Sequence, residues 1–151
     1  ANITYQSAYQ LMHRLRPPVL DDLGLETALI SGAFGQLLKN TGILYVPISA
    51  GDLTTLSEEI TIAIYRIVQE SVNNSAKHSQ AKHLWMTLKV DNSNVKLEIK
   101  DDGIGFEINN INKLKSSFGL QGIEDRVVAL GGLYNLTSDA NGTNHTVTFN
   151  I

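Results

Sequence analysis

The feature that most restricts the fold of this chain is a long amphipathic stretch from Leu56 to Ser79. Apolar or small side chains recur in it at intervals of three and four residues, which predicts a helix with one face against a core. These positions are Ile60, Ile64, Ile67, Val68, Ser71 and Val72. The segment Thr55-Leu56-Ser57-Glu58 matches a capping box and indicates where the helix begins.

A polar stripe accompanies the apolar one near the end of this predicted helix. Glu70, Asn74 and Lys77 are spaced i, i+4 and i+7, which places them on one side of a helix. A carboxylate and an amide oxygen can hold a hard cation such as magnesium, and an ammonium group can meet a phosphate. The alternative is a solvated helix face with a favourable Glu–Lys neighbourhood, and the stripe alone does not separate the two.

The composition excludes several classes of protein. The chain has 151 residues, 42% of them hydrophobic and 18% charged, which fits one soluble globular domain. It contains no cysteine, so disulfides and thiolate metal sites are excluded. The net charge of −3 gives no sign of a nucleic-acid surface, and no apolar run approaches the roughly 20 residues that span a bilayer. The four histidines show no metal-ligand spacing.

The remaining predicted elements lie on both sides of the long helix. Pro17-Pro18 ends a short N-terminal helix, because the residue before a proline is pushed out of the helical region. Pro47 indicates that its strand lies at an edge of the sheet or that the strand ends there. The other expected elements are helix 3–16, a turn at 19–24, helix 23–40, strand 43–48, strand 84–90, strand 95–100, helix 123–130, strand 133–138 and strand 145–151. This order predicts an α+β fold, with helices on one face of a mixed sheet, rather than a Rossmann fold.

Asp101 has an unusual position for a charged residue. It follows Val95, Leu97 and Ile99 in step, so its side chain is predicted on the apolar face of the strand. An ionised carboxylate there is costly unless a hydrogen-bond donor satisfies it. The segment Asp102-Gly103-Ile104-Gly105-Phe106 comes next, and two glycines allow the backbone to approach a ligand closely. The alternative is an ordinary glycine-containing turn.

A second glycine-containing segment precedes the last predicted helix. The polar stretch Glu107–Ser117 carries little that could pack and is expected to be a mobile loop. Phe118-Gly119-Leu120-Gln121-Gly122 follows it, and glycines before a helix leave the N-terminal N–H groups accessible to an anion. Arg126 lies one turn further on, where the alternative is a surface charge.

Together these segments resemble one superfamily. Glu70-x-x-x-Asn74-x-x-Lys77-His78, Asp101-x-Gly103-x-Gly105 and Gly119-Leu120-x-Gly122-x-x-x-Arg126 resemble the N, G1 and G2 boxes of the GHKL ATPases, which include gyrase, the Hsp90 chaperones and histidine kinases. Gly142-Thr143 is similar to a further element of that fold. The resemblance implies a Bergerat-type two-layer α/β sandwich, with a mixed sheet of about five strands and about three helices on one face.

The junction near the N-terminus narrows the resemblance. Leu15-Arg16-Pro17-Pro18-Val19-Leu20-Asp21-Asp22-Leu23-Gly24-Leu25 resembles the segment that joins the dimerisation module to the ATPase domain in nitrate-sensor-type (NarL-partner) bacterial histidine kinases. It implies that residues 1–18 are a remnant of the second dimerisation helix and the junction, and that 19–151 are the catalytic domain. The expected parent is a homodimer anchored in the cell membrane, with this part in the cytoplasm and without membrane contact of its own.

The resemblance also implies roles for individual residues. Asp101 would accept a hydrogen bond from the adenine amino group of ATP, and Gly103 and Gly105 would let the backbone pass the nucleotide. Asn74 would ligate magnesium, and Glu70 would orient water or activate the accepting histidine. The residues implied at the phosphates or ribose are Lys77, His78, Gly119, Leu120, Gly122, Arg126 and Thr143. Residues 107–117 would be the ATP lid.

One departure from the family pattern concerns the phosphate acceptor. The phosphorylated histidine of such kinases is followed by an acidic residue, whereas His13 is followed by Arg14 and the other three histidines also lack that context. We therefore expect this chain to bind ATP without phosphorylating itself, and to need a separate histidine module and a response regulator as partners. The alternatives are a serine kinase of the same superfamily and a nucleotide-binding regulatory module without catalysis.

Overall fold

The computed structural model describes residues 16–105 and 120–151, without the side chain of Leu120. The predicted helix 3–16, apart from Arg16, the predicted loop 107–117 and Gly119 lie outside these residues. The helices are α1 (Pro18–Ser31), α2 (Phe34–Asn40), α3 (Glu58–Asn74) and α4 (Leu120–Ala129), with a 3₁₀ turn at Leu53–Thr55 and a π-helical turn at Ser75–Ser79. The strands are β1 (Leu44–Ala50), β2 (His83–Val90), β3 (Asn94–Asp101), β4 (Leu133–Asp139) and β5 (Gly142–Asn150).

The five strands form one mixed sheet in the order β1-β2-β3-β5-β4. β1 is parallel to β2, and every other neighbouring pair is antiparallel. The predicted α+β class and five-stranded mixed sheet are therefore confirmed. Pro47 lies on an edge strand, as predicted, where a residue without a backbone N–H is tolerated.

The core lies between one face of the sheet and the helices. Alternate residues of the central strands point into it, as the period of two requires. The fully buried members from strands include Leu84, Met86, Leu88, Leu97, Ile99 and Phe149, and those from α3 include Ile64, Ile67, Val68 and Val72. Lys96 and Lys100, on the opposite face of β3, are exposed. None of the described helices is long and apolar enough to cross a membrane.

Several boundaries differ from the sequence-based expectation. The single helix predicted over 23–40 is two helices, because Gly32 is extended (φ −81°, ψ −163°) and ends α1. The described part therefore holds four α-helices rather than about three. The residues predicted as a turn at 19–24 belong to α1, which begins at Pro18 and bends at Gly24 (φ 76°). Proline is tolerated at the first position of a helix because its missing N–H would have no intrahelical partner there.

The start of the long helix was also predicted two residues too early. Ser57, not Thr55, is the N-cap of α3, and its Oγ accepts the backbone N–H of Ile60 at 3.2 Å. Thr55 belongs to the preceding 3₁₀ turn, where its hydroxyl donates to the carbonyl of Asp52 at 2.8 Å. Both hydroxyl residues precede the same apolar run, so the pattern alone could not choose between them.

Candidate functional site

Asp101 ends β3 with its side chain turned inward, as the alternation of that strand predicted, and only 8% of the residue is exposed. Its Oδ1 accepts the backbone N–H groups of Gly103 at 2.9 Å and Thr143 at 3.3 Å. Its Oδ2 lies 3.4 Å from the hydroxyl of Ser75, at the end of the long helix. Burial raises the pKa of Asp101, these hydrogen bonds partly oppose the rise, and the neighbouring charge of Asp102 adds to it.

The loop that follows Asp101 is held between two other parts of the fold. A Cβ on Gly103 would overlap the carbonyl oxygen of Ser79, and the N–H of Ile104 donates to that same oxygen at 2.8 Å. Gly105 has a φ of +66°, and a Cβ there would overlap the carbonyl oxygen of Asp139. The two glycines therefore let the loop lie between the end of the long helix and the β4–β5 hairpin.

Asp102 holds the same loop against the start of β2. Its Oδ1 accepts the backbone N–H groups of Lys82 and His83, both at 2.8 Å, and its Oδ2 lies 2.8 Å from Nδ1 of His83. Burial alone would raise the pKa of Asp102, but the hydrogen bonds from His83 and Lys82 outweigh it and lower that pKa. The two adjacent aspartates thus have different tasks, because Asp102 ties the loop to β2 while Asp101 faces the interior.

Thr143 reaches the same carboxylate from the second strand of the last hairpin. It is 7% exposed, and its Oγ1 lies 2.9 Å from the hydroxyl of Ser138 on β4. Ser75 and Ser138 were missed by the sequence interpretation. Ser75 stands directly after Asn74 in the N-box segment, but only the folded chain shows that its hydroxyl lies beside Asp101.

The polar stripe of the long helix lies at the same end of the fold. Glu70 and Asn74 are one turn apart on α3, and each is half-buried. Lys77 and His78 are exposed and belong to the π-helical turn that follows. This turn was not predicted, since the periodicity was interpreted as one α-helix to Ser79. Short π-helical turns within helices are often found at functional sites.

Gly122 and Arg126 lie on α4, which contacts α3 and β4. Gly122 is the third residue of the helix rather than a residue before it, and no atom of residues 16–105 or 120–151 lies within 4 Å of where its Cβ would be. Its N–H is therefore one of the first four of α4, which have no intrahelical acceptor. Arg126 is half-buried one turn further along.

Among the described residues, few side chains at this site could act as ligands of a metal ion. Within residues 16–105 and 120–151, no three His, Asp or Glu side chains form a cluster that could hold a metal. Glu70 and Asn74 offer two neighbouring oxygen donors. Magnesium is usually held by one or two protein oxygens together with substrate phosphates and water, so this pair fits an ion that arrives with a nucleotide.

The combination of a buried carboxylate, a glycine loop packed against a long helix, and a hydroxyl residue on the last hairpin corresponds to a known family. The model of the family described as histidine kinase-, DNA gyrase B-, and HSP90-like ATPase matches residues 59–151. The chain belongs to this family. All the candidate site residues named above fall within the matched range.

Two relatives indicate which members of the ATPase family this chain resembles. The sensor histidine kinase MctS of Rhizobium johnstonii is 36% identical over 89% of this chain and 29% of that protein. The sensor histidine kinase ComP of Bacillus subtilis is 36% identical over 86% of this chain and 17% of that protein. This ATPase-family chain is thus similar to one part of these sensor histidine kinases, and it spans less than a third of either relative.

A solved structure agrees in fold. The histidine kinase domain of the blue-light-activated kinase of Erythrobacter litoralis EL346 has a TM-score of 0.63 with this chain, over 97% of this chain and 85% of that one. The sequence identity is 15%, so this likeness concerns the fold of the ATPase domain.

Proposed function

We propose that this domain binds ATP with the adenine against Asp101 and transfers the γ-phosphate to a histidine on a separate dimerisation module. The observation that carries the proposal is the state of the Asp101 carboxylate. Its Oδ1 accepts two backbone N–H groups, whereas its Oδ2 has one long contact, to Ser75, within residues 16–105 and 120–151. A buried acceptor oxygen with remaining capacity suits the amino group of adenine.

The phosphate end of the nucleotide would lie along the polar stripe and the start of α4. Asn74, with Glu70 one turn before it, would hold magnesium. When bound with the nucleotide, magnesium supplies positive charge that neutralises the phosphates. Lys77, His78 and Arg126 would add further polar contacts, and the backbone N–H groups of Gly119, Leu120 and Gly122 would meet phosphate oxygens. Thr143 would support the nucleotide through its hydroxyl.

Positioning and electrostatic stabilisation would provide most of the catalysis. Phosphoryl transfer needs the donor phosphate and the accepting nitrogen to be held in line, with charge on the transferring group neutralised. Glu70 is suited to orient the accepting imidazole or a water, because its carboxylate is half-buried beside Asn74. The acceptor histidine would come from a module of the parent protein, which would pass the phosphate to a response regulator.

The organisation of the parent protein is part of the same proposal. Residues 19–151 would form the catalytic domain, and residues 1–18 would be the end of the second dimerisation helix with its junction. Arg16 supports a defined junction, because its guanidinium pairs with Asp21 at 2.9 Å and with Glu58 at 3.1 Å. The parent would be a homodimer anchored in the cell membrane and matched to a NarL-type regulator, with no nucleic-acid contact by this domain.

Calorimetric titration with ATP and ADP, with and without magnesium, tests the proposal. We expect adenine-nucleotide binding that magnesium strengthens. Asn74→Ala should remove the magnesium effect while the thermal unfolding profile of the free protein stays unchanged. Asp101→Asn should weaken ATP at least tenfold and GTP less, since an amide can satisfy Gly103 and Thr143 but presents an NH₂ to the adenine amino group. Equal losses for ATP and GTP would contradict the assigned role of Asp101.

A further inference from the structure

The hydroxyl of Ser75 lies beside Oδ2 of Asp101, the carboxylate oxygen that the backbone N–H groups of Gly103 and Thr143 do not contact. We propose that the Ser75 hydroxyl is a positioning residue that holds Asp101 as an acceptor for adenine and so sets the preference for adenine over 6-oxo purines. This inference rests on the proposed function, because it concerns how the same site selects its base.

The two oxygens of Asp101 have different surroundings. Oδ1 accepts hydrogen bonds from Gly103 at 2.9 Å and from Thr143 at 3.3 Å, which fixes the plane of the carboxylate. Among the described residues, the donor beside Oδ2 is the hydroxyl of Ser75 at 3.4 Å, longer than the usual O–H···O distance of about 2.5–3.0 Å, so this contact is weak. Oδ2 therefore retains capacity for a second donor, and Ser75 lies directly beside the place where that donor would sit.

The backbone around Ser75 is well fixed. Its N–H donates to the carbonyls of Ser71 and Val72 at the end of α3, and its own carbonyl accepts the hydroxyl of Ser79 at 2.8 Å. Ser75 is 6% exposed. The backbone that carries the Ser75 hydroxyl is therefore held in place beside Asp101.

The chemistry of the purine decides what this arrangement selects. Adenine presents an amino donor at its 6-position, whereas hypoxanthine and guanine present a carbonyl oxygen. An ionised Asp101 can only accept, so it pairs with the amino group and repels the carbonyl. A protonated Asp101 could instead donate to the carbonyl. Donation from Ser75 favours the ionised form, as do the N–H groups of Gly103 and Thr143.

Burial and hydrogen bonding shift the pKa of Asp101 in opposite directions, so loss of the Ser75 hydroxyl should have a measurable effect. Burial raises the pKa of this carboxyl, and the charge of Asp102 beside it acts in the same direction. Loss of one of the three donors should therefore leave more of the protonated form at mildly acidic pH. The preference for ATP over inosine triphosphate should then fall as the pH is lowered, and should fall more steeply without the Ser75 hydroxyl.

Ser75→Ala and a matched control test this inference. Ser71→Ala removes a buried hydroxyl one turn earlier on the same helix, and the Ser71 hydroxyl makes no hydrogen bond to Asp101 among the described residues. Magnesium complexes of ATP and inosine triphosphate are titrated calorimetrically at pH 7.5 and pH 5.5. We expect Ser75→Ala to weaken ATP about three- to tenfold at pH 7.5. The preference of the Ser75→Ala variant for ATP over inosine triphosphate should be smaller at pH 5.5 than at pH 7.5. Ser71→Ala should match the wild type at both pH values.

The outcomes separate this inference from the proposed function. If the wild type and Ser71→Ala bind no ATP, the proposed function and the inference both fail. If the wild type binds ATP and Ser75→Ala keeps the same affinity, preference and pH profile, only the inference is overturned. An equal loss of affinity for both nucleotides at both pH values would show that Ser75 has only a structural role. That result would also overturn the inference. Ser75→Thr, which keeps a hydroxyl, should keep the preference of the wild type.

Discussion

At the scale of single residues, His145 illustrates how burial decides the charge of a side chain. It lies on the inward face of β5, two positions after Thr143, and is 7% exposed. Burial lowers the pKa of His145 to about 4. Its Nδ1 lies 2.7 Å from the hydroxyl of Tyr134, whose pKa is raised by burial and secondarily by the charge of Glu124. Both partners are therefore neutral at pH 7.

Neutral burial of His145 predicts a loss of stability in mild acid. The unfolded chain takes up a proton near the ordinary pKa of 6.5, whereas the folded chain resists it until the pH approaches about 4. The contribution is fully present above pH 6.5 and is lost as the pH falls towards about 4. We expect the free energy of unfolding to decrease by about 1.4 kcal/mol per pH unit in that window from this residue alone. Urea unfolding at pH 7.0 and pH 5.0 measures it.

The matched variant is His145→Gln, which cannot take up a proton. Carboxylates such as Asp101 also titrate in acid, so the informative quantity is the difference between the wild type and the variant. The variant should lose less stability than the wild type between pH 7.0 and pH 5.0, even if it is less stable at both. Parallel pH profiles for the two proteins would show that His145 does not remain neutral in the fold.

The sequence predicted some residues of the site and not others, for a physical reason. The inward direction of Asp101 follows from strict alternation along one strand, which is local information. The neighbours that satisfy it are distant in sequence, because Ser75 and Thr143 are separated from it by 26 and 42 residues. The need for hydrogen-bond donors could be predicted from Asp101 alone, but their identity depends on how three elements meet.

At the scale of elements, Gly105 in the loop after β3 and Gly122 in α4 have different structural roles. Gly105 has a positive φ of +66°, and its Cα lies against the carbonyl of Asp139 in the β4–β5 hairpin. We expect Gly105→Ala to lower the free energy of unfolding by about 1–3 kcal/mol, because it adds backbone strain and forces the loop away from the hairpin. Thermal or urea unfolding without nucleotide measures this, and an unchanged stability would contradict the described packing of the loop.

Gly122→Ala is the matched control, and it carries its own prediction. No atom of the described residues lies within 4 Å of a Cβ at this helical position. Alanine should therefore stabilise the free protein by about 0.5–1 kcal/mol, because glycine has the poorer helix propensity. If a phosphate approaches the start of α4 closely at Gly122, the Gly122→Ala variant should bind ATP more weakly. Equal or tighter ATP binding would remove Gly122 from the proposed site.

Boundaries between elements were the part of the fold that the sequence predicted least well. The run from Leu23 to Asn40 keeps a helical pattern of apolar residues although Gly32 is extended, since periodicity does not register one non-helical residue. Likewise the pattern continues unchanged from α3 into the π-helical turn at Ser75. These interruptions arise from tertiary packing, which local patterns do not encode.

At the scale of the whole molecule, the mixed sheet brings separated segments to one site. The class, the number of strands and the β2–β3 hairpin followed from pattern, whereas the parallel pairing of β1 with β2 did not. That pairing places α3 across the sheet, with its end beside the loop after β3 and the β4–β5 hairpin. The site therefore depends on a complete domain rather than on any single motif.

The four histidines of the chain give the last prediction, which concerns the reaction itself. None is followed by an acidic residue in the sequence. Among the described residues, His145 is buried, and His83 is bonded to Asp102 at 2.8 Å. We therefore expect no stable label on this chain when it is incubated alone with magnesium and ATP labelled at the γ-phosphate. A dimerisation module of the parent kinase, added separately, should become labelled.

The chemistry of the label and two variants make this experiment decisive. Phosphate on histidine is lost in acid and survives in alkali, whereas phosphate on serine behaves in the opposite way, so the stability of the label separates a histidine kinase from a serine kinase. Asp101→Asn should reduce labelling of the module through weaker ATP binding, and Asn74→Ala should reduce it through the metal. Stable labelling of this chain alone would overturn the prediction. ATP binding without any transfer to the module would favour a regulatory nucleotide-binding domain, because the adenine site would then exist without the geometry that transfer requires.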